Sequence, residues 1–284
     1  MAGPGRGGRC RGGVPVDVLC NAQTNSKAIP LLHALVRGAE VAGVDAVLCD
    51  HHQFRPGAWR VVYGLGGHDR IGYADYPKLI AFDLAYWDRK LAQRKYRVSV
   101  NGMHCPQLIM RGKDPGPERW ALSGLDIVQS GDPSGPILLI GNGPKSNAVG
   151  AGGWAERKSK ELRSHFPDTP IWYRPKPNRA SEPGVVSDWV VTDGSIDDVL
   201  AKVSLVVCRH SNVAVDACRS GVPVVCDDGA AAAIYPARLE DWQNQPTEDV
   251  RESFLYRLAW WQWSPDECES GQFWRWIMKV MCAN

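Results

Sequence analysis

The residues of this chain that can do chemistry sit in short polar clusters, each placed directly after a run of apolar, β-branched residues. Four lie in the second half. Gly141-Asn142-Gly143-Pro144-Lys145-Ser146-Asn147 closes the run ILLIG; its small residues let backbone come close to a ligand, and Lys145 and Ser146 add a charge and a hydroxyl. The spacing is neither that of a Walker loop nor a complete G-x-G-x-x-G, so an ordinary strand-to-helix turn and a phosphate or sugar contact are equally open. Arg174-Pro175-Lys176-Pro177-Asn178-Arg179 ends IWYRP with three cations stiffened by prolines, which reads as a fixed anion site or as solvated surface. Arg209-His210-Ser211-Asn212 follows SLVVC and opens a helical stretch. Its hydroxyl, amide and helix N-terminal N–H groups suit phosphate oxygens, and Asp216, one turn on from Asn212, is placed to accept ribose hydroxyl hydrogens. The plainer reading is that Ser211 and Asn212 cap the helix. Asp227-Asp228-Gly229, after VPVVC, either lines a sugar or makes a turn.

The first half offers fewer groups. Asp83, in Phe82-Asp83-Leu84-Ala85-Tyr86-Trp87-Asp88-Arg89, is the candidate base for an acceptor hydroxyl, with helix capping or pairing to Arg89 as the alternative. Gly66 and Gly67, in a turn before His68, would join Tyr86, Trp87 and Arg89 as acceptor-side contacts. His104 follows YRVSV and serves either as base or as a structural histidine. YWDRKLAQRKYR (86–97) combines cations with Tyr86, Trp87 and Tyr96, which suits a nucleic-acid backbone or a solvated helix face.

These clusters need strands to hold them. VPVDVLC (14–20), DAVLCD (45–50), VVYG (61–64), KLIAFDL (78–84) and YRVSV (96–100) read as buried strands. Ile29, Leu32, Leu35, Val36 and Ala39 are spaced for a helix with Asn25 or Ser26 as its cap. Four Pro and five Gly between 112 and 136 mark an exposed connection. The rhythm then resumes with ILLIG, IWYRP, SLVVC and VPVVC, between helices near 153–165, 195–202 and 212–219. The chain therefore divides into a basic Gly-rich tail (1–13), a first α/β half (14–111), a linker (112–135), a second α/β half (136–246) and C-terminal helices (247–284). The Trp residues of those last helices read as packing. The tail, with six Gly and Arg6, Arg9 and Arg11, is expected to be disordered, as a nucleic-acid-touching arm or an inconsequential extension.

At 284 residues the chain is long enough for two domains of ordinary size or one large one, a hydrophobic content of 44% gives material for a core, and a net charge of +2 offers no general argument for a nucleic-acid partner. Nine Cys without a C-x-x-C pair or zinc spacing read as reduced thiols of a cytoplasmic protein. No apolar run approaches the roughly 18 residues of a membrane span, and the N-terminus lacks the apolar core of a signal peptide.

The succession of an apolar strand, H-S-N and V-A-V-D-A-C-R-S-G-V-P-V-V resembles the donor-binding element of GT-B glycosyltransferases. Y-R-P-K-P resembles the R-P-H-P segment of capsule-type and glycerophosphotransferase-like members, with Lys176 where a His often stands and Asp216 where a Glu is common. The resemblance covers roughly residues 136–235. It implies an α/β chain of two Rossmann-like halves with a cleft between them and C-terminal helices crossing back. It implies a nucleoside diphosphate sugar as donor, UDP favoured, with no further cofactor and no metal. Asp216 would bind ribose, and Arg174, Lys176, Ser211 and Asn212 the diphosphate, with Gly141, Asn142, Gly143, Lys145, Ser146 and His210 lining the donor site. The Tyr- and Trp-rich first half is also similar to small bacteriophage-type glycosyltransferases, some of which modify hydroxymethylated pyrimidines in DNA, so the acceptor is expected to be a glycan or DNA. A sugar-nucleotide epimerase of the same architecture and a non-catalytic nucleotide- or nucleic-acid-binding protein are the alternatives.

Overall fold

A computed structural model describes residues 15–20, 26–49, 55–64, 78–87, 94–102, 104–143, 152–176 and 182–282. Its strands are β1 (Val16–Leu19), β2 (Ala46–Cys49), β3 (Trp59–Tyr63), β4 (Leu79–Leu84), β5 (Tyr96–Val100), β6 (Ile137–Ile140), β7 (Ile171–Arg174), β8 (Trp189–Val190), β9 (Leu205–Cys208), β10 (Val224–Cys226) and β11 (Gln262–Trp263). The described residues form two compact units, one drawn from 1–84, 90–102 and 263–284, the other from 85–89 and 103–262. Each is a Rossmann-like α/β layer, as the strand and helix rhythm implied.

The first unit is built on a sheet of order β11-β5-β4-β3-β1-β2. Its strands β2, β1, β3 and β4 are parallel, and β5 runs antiparallel to β4, with Asp83 opposite Arg97. The apolar residues of β1, and those of β4 from Leu79 to Phe82, are buried, as in a sheet covered by other layers. Asp17 is buried in the middle of β1 and is neutralised by Arg55, whose Nε donates to it at 2.7 Å. The spacing of Ile29, Leu32, Leu35 and Ala39 does form a helix, Ile29–Ala42. It opens with Pro30 in the first turn rather than with a side-chain cap, and ends at Gly43 in the left-handed conformation that glycine tolerates.

The C-terminal helices Pro265–Glu269 and Gln272–Cys282 complete this same unit. Trp274 is fully buried and donates its indole N–H to Leu35 O at 2.7 Å, while Phe273 packs edge-on against Phe82 and Trp263. The Trp-rich tail is thus core. Gly38 permits the contact: a Cβ there would lie 1.7 Å from Cys268 O, a backbone atom with no rotamer to yield.

The second unit is a five-stranded sheet of order β10-β9-β6-β7-β8, parallel throughout. Helices Trp154–His165, Ile196–Leu200 and Val213–Ser220 fall where the pattern places them. Ser195 and Asp198 form a reciprocal capping box at the second. Ile137, Leu139, Tyr173, Val207 and Leu162 pack as one apolar cluster.

The units divide around residue 102, not within 112–135. The segment that reads as a linker is anchored inside the second unit: Arg119, buried, donates to Ala259 O and Gln262 O, and Val128 and Ser130 N–H bond to Arg219 O and Ser220 O. Its glycines supply turns in a packed segment, Gly112, Gly116, Gly124 and Gly131 all having positive φ. Residues 247–262 stay with the second unit, and only the last helices join the first. Among the described cysteines five are buried and none is bridged. No helix among the described residues is long and apolar enough to cross a membrane.

Gly38→Ala tests the role of the C-terminal helices. Overpacking against a backbone carbonyl is expected to lower unfolding free energy by about 3 kcal/mol, at the upper end for such insertions. A urea midpoint that falls at unchanged slope is the expected result, and an unmoved midpoint contradicts the packing described.

Candidate functional site

Within the second sheet the strand order reverses at β6: β7 and β8 lie on one side of it, β9 and β10 on the other. Helices leaving such a sheet diverge to opposite faces at this point, which opens a crevice beyond the carboxyl ends of β6 and β9. Gly141–Gly143 and Arg209–Asn212 stand there, flanked by Lys176 beyond β7 and Asp227–Gly229 beyond β10. The polar clusters of the second half therefore share one end of one sheet.

At the β6 end the glycines serve packing first. A Cβ on Gly141 would lie 2.4 Å from the Tyr173 hydroxyl, and its N–H bonds to Arg174 O at 2.9 Å. Burial pushes the Tyr173 phenol up to about 12. The Asn142 N–H donates to Glu182 Oε1 at 2.7 Å, and the Tyr173 hydroxyl reaches the same oxygen at 3.4 Å. Glu182 carries no sequence signal and is found only through this contact. The Lys176 stem passes 3.6 Å from where a Gly143 Cβ would be, so the loop and this cation are brought together. Arg174 is differently employed: its guanidinium donates to Asp193 O and Gly194 O at 3.3 and 2.9 Å, tying β7 to a neighbouring turn. Lys145 and Ser146 lie outside the described residues.

At the β9 end Ser211, one residue before the N-cap position Asn212, holds the start of the helix. Its hydroxyl accepts from Val213 N–H at 3.3 Å and its carbonyl from Ala214 N–H at 3.1 Å. The Asn212 side chain does not cap; it donates to Ala85 O at 3.3 Å. These first N–H groups are therefore committed, and what the helix offers an anion is its dipole rather than open donors. Asp216 is half-buried in the first turn. His210 lies beside His104, ring centroids 5.8 Å apart, and His104 is 3% exposed. The structure thus puts His104 in the second unit, next to His210. Cys105, which follows it, has φ +38°, a strained value for a side-chain-bearing residue.

At the β10 end Asp227 accepts from the indole N–H of Trp154, and burial pushes its carboxyl up, opposed by that hydrogen bond. Asp228 N–H bonds to Arg209 O at 2.6 Å. Gly229 has φ +100° and ψ 179°, a region essentially reserved for glycine, and a Cβ there would meet His210 Cα at 3.1 Å. The turn is thereby clamped to the Arg209–His210 backbone.

Among the described residues six buried side-chain polar atoms have no hydrogen-bond partner, and three of them are Asn142 Nδ2, Arg209 Nη1 and Asp227 Oδ1. They stand beyond the ends of three adjacent strands, β6, β9 and β10. An unsatisfied buried group costs about 1–3 kcal/mol, so their concentration at the reversal point requires an explanation.

The first-half candidates are placed separately. Asp83, the penultimate residue of β4, has its side chain 36% exposed, accepting from Arg97 at 3.1 Å and from Leu84 N–H at 2.7 Å. Its partner is the residue opposite in register; Arg89 lies outside the described residues, as do Gly66 and Gly67. Tyr86 and Trp87 are core residues of the second unit, 1% and 8% exposed, the latter edge-on to Trp120 at 5.0 Å. Neither stands open as an acceptor contact. Tyr96 and Arg97 are also buried, so the aromatic members of 86–97 do not form a surface platform.

No protein-family model matches this chain, and no curated protein matches its sequence. Among solved structures it is similar to Thermosulfurimonas dismutans KpsC, beta Kdo 2,7 transferase, with a TM-score of 0.54 at 12% identity over 91% of this chain and 98% of that one. It is also similar to Thermosulfurimonas dismutans KpsC, beta Kdo 2,4 transferase, with a TM-score of 0.52 at 14% identity over 88% and 91%. At these identities the likeness is one of fold: the mixed α/β architecture with two largely parallel sheets.

Asp227 generates a pH prediction. A carboxyl whose folded pKa lies above its unfolded value contributes most below the unfolded pKa, and that contribution is lost as pH rises through the folded value. Asn does not titrate and retains an oxygen for Trp154. Asp227→Asn should therefore gain melting temperature relative to the parent as pH rises from about 4 to 7. A constant difference across that range would show that Asp227 is not penalised by burial.

Proposed function

We propose that this chain is a glycosyltransferase that moves a sugar from a nucleotide donor, held beyond β6, β9 and β10, to an acceptor hydroxyl. The observation that carries the reading is the gathering of Asn142 Nδ2, Arg209 Nη1 and Asp227 Oδ1 at the strand-order reversal. Two donors and one carboxylate oxygen call for a ligand rich in both acceptor oxygens and hydroxyls, which a nucleotide sugar is. The fold shared with the two Kdo transferases supports the same class.

In this reading the donor is a nucleoside diphosphate sugar, UDP favoured, bound without a metal ion. Lys176, beside Gly143, supplies the cation for the phosphates, Asp216 takes the ribose hydroxyls, and the dipole of the helix Val213–Ser220 faces the leaving group. Asp83 or His104 removes the acceptor's hydroxyl proton as that oxygen attacks the anomeric carbon; the bond from that carbon to the phosphate oxygen breaks and the diphosphate leaves with the electron pair. A glycan is favoured over DNA as acceptor, because the aromatic side chains at 86, 87 and 96 are buried rather than available to stack on bases.

A thermal-shift series with UDP, CDP, ADP, GDP and TDP, and with the corresponding monophosphates, tests the donor site. One base should stabilise the chain by about 2.7 kcal/mol at a hundredfold excess over Kd, and Lys176→Ala should shrink that gain. Absence of any shift overturns the proposal. With a binding donor in hand, Asp83→Asn and His104→Asn identify the base: its loss lowers kcat by about 10²–10⁴ while leaving the nucleotide shift unchanged.

A further inference from the structure

The opposite end of the second sheet holds a cavity of about 750 Å³, within the range of small-ligand sites. Ile137 and Leu205, the first residues of β6 and β9, line its floor, so it lies at the amino ends of strands whose carboxyl ends bear the candidate donor site. Four residues of strand, roughly 13 Å, separate the two. It is a second place, not an extension of the first.

Its wall is held rigidly. Asp132 N–H bonds to Val203 O, Ser134 N–H to Asp132 Oδ1 at 2.9 Å, and the Ser204 hydroxyl to Gly135 O at 2.8 Å. A Cβ on Gly135 would lie 2.2 Å from Lys202 O, which records how closely this loop presses on the sheet. Such a wall needs little ordering when a ligand arrives.

The lining chemistry narrows the ligand. Among the described residues no Lys, Arg or His lines the cavity and Asp132 is the one charged residue that does, so an anion is opposed. Phe166 and Trp242 are half-buried and pack edge-to-face at 5.5 Å, presenting aromatic surface beside polar groups. Asp132 Oδ2, the Ser134 and Thr169 hydroxyls and the Trp242 indole N–H make no hydrogen bond among the described residues. A carboxylate acceptor, two hydroxyls and an N–H beside an aromatic face match a ring with hydroxyls at its edge and C–H groups on its face.

We propose that this cavity binds a neutral saccharide. The inference stands on the cavity's own lining and not on the transferase reading. Saturation-transfer difference NMR on the full chain, with cellotetraose, maltotetraose, xylotetraose, chitotetraose and the anionic tetragalacturonate, tests it. At least one neutral tetrasaccharide should bind and tetragalacturonate should not. Asp132→Asn keeps an oxygen for the Ser134 N–H, and Thr169→Val keeps the side-chain shape; together they should weaken saccharide binding by about tenfold or more without moving the melting temperature. Lys176→Ala should leave it intact, so that failure here and failure of the donor site are read separately. The proposal is overturned if no neutral member binds, if tetragalacturonate binds as well, or if the folded double variant binds undiminished.

Discussion

Everything in the second unit depends on four consecutive apolar residues, Ile137 to Ile140, paired in parallel on both sides. A strand buried between two parallel neighbours has no edge and no solvated face, which is why the run contains no polar residue. Its central place also creates the reversal of strand order. Once the chain returns to pair β9 against the free side of β6, the connections must part at its carboxyl end, and the residues next in sequence are those left at the opening. The site follows from the pairing.

The glycines around that opening show how packing and function compete for the same positions. The sequence invites the reading that Gly141 and Gly143 let backbone approach a phosphate. Gly141 is in fact required by Tyr173, and Gly229 by its own backbone conformation, φ +100° and ψ 179°. The arrangement tolerates three unsatisfied polar atoms while its framework is well satisfied. Polar groups left unpaired inside a carefully bonded frame are more informative than the frame itself.

Elements whose cause is local were legible in the sequence. The helix Ile29–Ala42 is written in its three- and four-residue spacing, and the strands β6, β9 and β10 in their unbroken apolar runs. What pairs across the chain was not. Nothing near Asp17 in sequence announces Arg55, nothing near Asp227 announces Trp154, and Glu182 owes its place entirely to the way β7 passes Tyr173 beneath Asn142. The stretch 112–135 was misleading for a related reason: proline and glycine report where a chain turns, and turning is common to linkers and to tightly folded loops. Arg119, buried and bonded to two distant carbonyls, separates the two cases only in space.

The last helices belong with the first sheet, and this bears on how the molecule is made. Leu35 meets Trp274 and Gly38 meets Cys268, pairs more than two hundred residues apart. A chain emerging from the ribosome at about 5–20 residues per second therefore exposes one flank of its earliest helix for many seconds. The second unit, drawn from 85–89 and the continuous stretch 103–262, has all its parts before the first unit does. The later-made unit is thus able to close first, and the earlier-made one waits for the C-terminal helices, with its uncovered apolar surface exposed to chaperones or to other chains in the interval.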